Sequence, residues 1–343
     1  MSVLSEKAHQ HATDPRQASR LPTTLWIGLA LIFVTEVLLF ADLMLRDWAV
    51  VPGEAIASPS GAFQTIARWA AGNVTPICWV GLLFVLDGMF ARINDPSTGS
   101  GGELALTKNS PVRARPRLFV LCFLASIPIW LIFDAVNFGS VNAWSYHGLP
   151  KDTSLRLIGY FFAFGAICPA MFLVAEVFRR TCFKKIPTIN LRIPQRADPY
   201  VVANGAFLLA FPLLVSNPIG TLTLWAAWVF LLDPINRRLG APSLFADWEA
   251  GRWQRTVALM AAGFVCGLLW EFWNYWATAK WTYELAFLGP LENIRYFEMP
   301  IAGLLGFPPF ALECWVMFQT LVALLGRFGV LKIEPLPDEY SII

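Results

Sequence analysis

Apolar runs long enough to cross a hydrocarbon layer of about 30 Å recur along this 343-residue chain. They fall near 23–45, 75–91, 118–139, 157–178, 200–216, 219–233, 256–278 and 300–326. Only helices and closed barrels satisfy every backbone group in lipid, and runs of this length are helical. The expected fold is therefore all-α, a polytopic transmembrane bundle of about eight spans. Composition agrees, with 56% hydrophobic and 15% charged residues, against about a quarter charged in soluble domains. The fifth and sixth runs are short and share the turn Ser216-Asn217-Pro218, so they read as a hairpin.

Charge sets the expected orientation. Lys and Arg collect on the cytoplasmic side. With the N-terminus inside, only Arg46, Arg68, Lys151, Arg156, Lys280 and Arg295 face out, and 20 of the 26 basic residues face in. Both termini are thus expected in the cytoplasm and the chain in the cell membrane. The polar residues 1–21 carry no signal-peptide pattern. Gly61–Trp69 reads as an amphipathic helix at the interface. No basic run stands beside aromatics as nucleic-acid binding requires. Three scattered His and six Cys show no metal-ligand or redox spacing, so no metal site is expected and no cofactor is named.

The chain also resembles itself. Asp134-Ala-Val-Asn137-Phe138 leading to Trp144-Ser145-Tyr146 matches Glu271-Phe-Trp-Asn274-Tyr275 leading to Trp281-Thr282-Tyr283, at a constant offset of 137 from Asp134 to Glu271. The same offset pairs Glu176 with Glu313 and Arg115 with Arg252. A second register pairs Trp79, Asp87 and Arg92 with Trp225, Asp233 and Arg238. The expected organisation is two parallel four-span repeats: tail 1–21, first repeat 22–183, basic linker 184–199, second repeat 200–333, tail 334–343. An even number of spans per unit gives both the same orientation, with matching residues across a central interface.

Asp134, Glu271 and Glu313 are the candidate catalytic residues. Asp134 and Glu271 each lie roughly 24 Å up a helix rising 1.5 Å per residue, and acids within spans face a cavity or a partner. A carboxyl there can serve as a general acid or, equally, as a clamp bonded to its own Asn, Trp or Tyr. Asn137, Trp144, Tyr146, Asn274, Trp281 and Tyr283 are the candidate substrate-binding residues, since aromatic faces wall an apolar ligand and stabilise a developing cation. Glu313 follows Pro308-Pro309, which are expected to break the helix beside it. Glu176 is expected to pair with Arg179. Glu298 is expected to cap the last span, and Asp87 and Asp233 to clamp loops. Glu36, in the middle of span one, is expected to face the cavity or to hold its proton.

The acid…Trp-x-Tyr pattern at Asp134–Tyr146 and Glu271–Tyr283 resembles that of the small membrane lycopene cyclases. That resemblance, over spans three, four, seven and eight, implies paired helical units and protonation of a polyene by carboxylates. The family's Pro-x-Glu-Glu motif is absent; the nearest pieces are Pro309 with Glu313 and Pro169 with Glu176. Three functions are expected to compete: an enzyme acting on an isoprenoid or carotenoid-like lipid, a proton-coupled transporter at the repeat interface, and a structural or assembly subunit. The partners expected are the lipid bilayer, a hydrophobic small molecule and further subunits of a homo- or hetero-oligomer.

Overall fold

The computed structural model describes residues 21–46, 56–93, 110–215, 218–330, 332 and 341–343. The main helices are α1 (Thr23–Leu45), α2 (Ala62–Gly72), α3 (Val74–Met89), α4 (Pro116–Val136), α5 (Thr153–Arg180), α6 (Asp198–Leu214), α7 (Gly220–Leu239), the short α8 (Leu244–Glu249), α9 (Gln254–Trp276) and α10 (Phe307–Arg327). Each apolar run thus holds a helix. Ser216 and Asn217 of the expected hairpin turn lie outside the described residues, as does the tail 1–20.

Six of these helical segments are long and apolar enough to cross a membrane, those built on α1, α4, α5, α6, α9 and α10. The chain therefore has the form of a multi-pass membrane protein. Two of the eight runs fall short for physical reasons. α3 has only 16 residues and follows α2 across a 69° bend at Asn73, so the pair counts as a seventh span only if taken together. α7 extends past the expected end at 233 to Leu239 and carries Asp233, Arg237 and Arg238 in its last turns. The expected interfacial segment does form a helix, α2, which buries Gln64, Ala67, Ala70 and Ala71 and exposes Phe63, Ile66 and Trp69.

The helices pack α1 on α3, α3 on α5, α5 on α4 and α9, α9 on α10, α10 on α7, and α7 on α6. Small residues allow the close approaches, as expected where lipid supplies no hydrophobic drive between helices. A Cβ on Gly28 of α1 would stand 2.5 Å from the Gly81 carbonyl of α3, and one on Gly205 of α6 would stand 2.3 Å from the Leu231 amide of α7. Within α5 the turn before Pro169 is opened by a side chain. Ser126 Oγ donates to the Phe164 carbonyl at 2.5 Å and accepts from the Cys168 amide at 3.0 Å. It thereby stands between the two ends of what would be one helical bond.

The two ends of the bundle differ. At one end, β1 (Trp144–His147) pairs antiparallel with β2 (Lys280–Tyr283). The basic linker lies at the other end. There Glu176 takes hydrogen bonds from Arg179 at 3.0 Å and Arg180 at 2.5 Å, as expected for the first of these. It also accepts from the Ile342 amide at 3.1 Å. The expected cytoplasmic tail is therefore not all free. Ser341–Ile343 are buried, and Arg255 and Trp315 hold the Ser341 and Ile342 carbonyls. Apolar Ile342 and Ile343 thus find a packed site between α5, α9 and α10. Asp87 and Asp233 do clamp loops, each accepting from a serine that opens the next short helix: Ser110 at 2.5 Å and Ser243 at 2.7 Å.

Candidate functional site

α4 and α9 end in the same way. Each carries a carboxylate, then an asparagine three residues later on the same face, and then turns into a strand. The asparagines are fully buried and serve the backbone. Asn137 Nδ2 donates to the Trp144 carbonyl at 2.8 Å, and its Oδ1 accepts from the Ala143 and Trp144 amides at 2.7 and 3.2 Å. Asn274 donates to the Trp281 carbonyl at 2.8 Å and accepts from the Trp281 amide at 2.8 Å. A single amide side chain satisfies both a C=O and an N–H where the chain leaves the helix, which is what a buried turn requires. Neither asparagine lines the chamber or the two clefts described below; their side chains are spent on clamping β1 and β2.

The strands then return their aromatic side chains to the acids. Tyr146 donates to Asp134 at 3.0 Å, and Trp144 Nε1 donates to the same oxygen at 3.0 Å. Tyr283 donates to Glu271 at 2.8 Å, and Trp281 Nε1 donates to the Tyr283 hydroxyl at 2.8 Å. One oxygen of Glu271, Oε2, is buried without a hydrogen bond. Both phenols are pushed well above their ordinary range, first by burial and then by the neighbouring carboxylate. The ladder aligns Trp144 with Tyr283 and Tyr146 with Trp281, which brings the two acid–phenol couples to one place.

Between them lies a chamber of about 60 Å³ walled by Trp79, Trp130, Trp144, Trp225, Trp270 and Trp281, together with Tyr146, Tyr283 and apolar side chains. The rings hold one another edge to face or tilted, Trp79 against Trp270 at 5.8 Å and Trp130 against Trp270 at 5.2 Å, the geometry the ring quadrupole favours. Trp130 also donates to the Tyr146 hydroxyl at 3.2 Å. The chamber thus draws together Trp144, Tyr146, Trp281 and Tyr283 of the expected site, with Asp134 and Glu271 directly behind the phenols.

The structure adds Trp79, Trp130, Trp225 and Trp270, which sequence reasoning did not assign to a site. Trp79 and Trp225 carried a signal, as a matched pair in the second register. Trp130 and Trp270 carried none, because one more tryptophan in an apolar helix is uninformative. Glu36 does not reach the chamber; it accepts from Trp273 Nε1 at 2.7 Å, and Trp273 packs on the chamber wall at Trp79, 5.5 Å away.

Further expectations change at the last span. Pro308 and Pro309 do not break a helix. They occupy the first turn of α10, where the missing N–H costs nothing, after the 3₁₀ segment Ile301–Gly306. Glu313 is accordingly a second-turn residue. It is fully buried, accepts from the Trp228 amide of α7 at 3.1 Å, and does not line the chamber. The transport reading thereby loses one of its supports, the helix break, and keeps the parallel repeats as an expectation. Glu298 does not cap a helix either. The last helix starts at Phe307, and Glu298 instead pairs with the buried Lys280 of β2.

Among the described residues no group of three or more His, Cys, Asp or Glu is arranged to hold a metal ion. Five cysteines are buried and Cys182 is exposed. No protein-family model, curated protein or solved structure matches this chain.

Proposed function

We propose that the chain is a membrane enzyme performing acid/base chemistry on an isoprenoid or similar lipid held in the aromatic chamber. The observation that carries this is the duplicated couple of a buried carboxylate and a chamber-lining phenol, Asp134–Tyr146 and Glu271–Tyr283. In each couple a proton passes from carboxyl through phenol to one carbon of a ligand double bond. The carbocation left on the adjacent carbon faces indole rings, which stabilise cations. Loss of a neighbouring proton to the relay completes an isomerisation or ring closure with no change in composition. The resemblance to lycopene cyclases points to the same chemistry. With no Pro-x-Glu-Glu present, the acid role belongs to Asp134 and Glu271, while Glu313 holds α7 against α10, which carry Trp225 and Phe310.

The same reading treats 22–183 and 200–333 as two four-span units crossing the cell membrane eight times in all, with both termini cytoplasmic. Its support is a strand register that matches itself: the offset of 137 carries the pair Trp144–Tyr283 onto Trp281–Tyr146, and Ser145 onto its own partner Thr282. Packing agrees, since α1 on α3 and α6 on α7 are equivalent pairs, as are α4 on α5 and α9 on α10.

The test is Asp134→Asn, Glu271→Gln and Glu313→Gln, made singly, with the lipid and isoprenoid profile of expressing cells read by mass spectrometry. Product formation is expected to fall by about 10²-fold or more in the first two, with protein level retained, and less in the third. A profile unchanged in Asp134→Asn and Glu271→Gln, with the protein folded, sinks the enzyme reading. Loss of the folded protein in both favours a clamp in a structural subunit, the role the two asparagines already fill.

A further inference from the structure

We infer that the lipid entering the chamber carries one anionic head, a carboxylate or a phosphate, received by Arg156 at the mouth of the cleft between α3 and α5. This rests on the chamber being a lipid site, as proposed above, and adds the polar end that such a lipid presents.

Two clefts share walls with the chamber. One, about 70 Å³, lies beside the α2–α3 bend and the start of α5 and shares Thr75, Tyr146, Ala163, Phe164 and Trp281 with it. The other, about 500 Å³, lies between α7 and the segment leading into α10 and shares Trp144, Trp225, Tyr283 and Met299. The two match through the proposed duplication, with Thr75, Tyr146 and Trp281 in one and Thr221, Tyr283 and Trp144 in the other.

Their charge does not match. No charged residue lines the larger cleft. The smaller is lined by Arg156 and Lys280. Lys280 is already engaged, since it pairs with Glu298, donates to the Tyr275 carbonyl at 3.0 Å and lies over the Tyr275 ring. The Arg156 guanidinium makes no hydrogen bond or ion pair among the described residues. Helix stability does not account for it either. α5 begins at Thr153 under an Asp152 cap, and a cation in the first turn opposes the helix dipole. Tyr160, one turn further on, lines the same cleft with its hydroxyl free of any hydrogen bond.

A planar guanidinium beside a phenol suits a carboxylate or phosphate. Beyond it the walls are apolar and then aromatic, and the chamber shares Trp144, Trp225, Tyr283 and Met299 with the larger uncharged cleft. The occupant that fits this sequence is a single-chain amphiphile with its head at Arg156 and its tail directed past the tryptophans toward Met299.

The test uses the full chain in nanodiscs of zwitterionic phosphatidylcholine, titrated with dibromostearic acid or its methyl ester. Bromine quenches indole fluorescence at short range, and six tryptophans surround the chamber. The acid is expected to quench saturably at concentrations about tenfold lower than the ester, the factor that about 1.4 kcal/mol provides. Arg156→Gln should erase that gap. Arg156→Lys, which keeps the charge, should retain part of it, and Arg295→Gln, which alters a cation outside both clefts, should retain all of it. Equal quenching by acid and ester, or a gap that survives in Arg156→Gln, overturns the anionic head while saturable quenching upholds the chamber. No saturable quenching by either compound overturns the chamber reading and this inference together. Displacement of the bromo acid by lysophosphatidylglycerol, which has one chain, identifies a membrane phospholipid product as the source of the head; displacement only by a prenyl phosphate identifies a free amphiphile.

Discussion

Asn137 and Asn274 are the residues whose roles changed most between sequence and structure. Three residues after an acid, an asparagine reads as its partner on the helix face. Folding instead gives each one to the backbone of the following strand. Replacing Asn137 or Asn274 by Ala leaves buried strand groups without a partner, at about 1–3 kcal/mol per group. A lowered thermal midpoint in detergent is the expected result, whether or not ligand is present. The phenols behave differently. An unfolded tyrosine ionises near pH 10, and Tyr146 and Tyr283 ionise above that in the fold. The stability they contribute is complete below the unfolded value and is lost as pH rises through the folded one. Unfolding midpoints measured against pH should therefore fall on the alkaline side, and less steeply in Tyr146→Phe and Tyr283→Phe.

Among elements, the strand pair organises the site although it is only four residues on each side. It is held by two asparagines and by one close approach. Gly148, at φ +65°, would place a Cβ 1.9 Å from the Thr278 carbonyl. Gly148→Ala is expected to displace β1 from β2 and to separate Tyr146 from Asp134, so that product formation by the proposed enzyme falls while most helix content by circular dichroism remains. Gly28→Leu acts elsewhere. It forces α1 off α3 and should lower stability without touching the chamber, read as a lower midpoint with tryptophan quenching retained. The acids, the Trp-x-Tyr pairs and their common offset were all legible in the sequence. The strands were not, because four residues between helices give no period to read and their pairing joins positions more than 130 residues apart.

For the molecule as a whole, the proposed orientation is read by a native probe. Cys182 is the exposed cysteine, on the basic linker side. A membrane-impermeant maleimide should label inverted vesicles and not intact cells, and Cys182→Ser should abolish the signal. Labelling of intact cells would reverse the orientation drawn from the basic residues.

The sequence by itself determined that the chain is a bundle of apolar helices, because runs of that length leave the backbone no other way to satisfy itself in lipid. It also marked the acids and aromatics of the two matching segments, because identity at a fixed offset is legible without a fold. Only the tertiary structure decided that Pro308 and Pro309 begin a helix, that Glu298 serves Lys280, and that Trp130 and Trp270 join Trp79 and Trp225 around one chamber. Those outcomes depend on which helix faces lie against each other. That choice is made by side-chain packing across the bundle, where an apolar helix offers nearly the same hydrophobicity on every side.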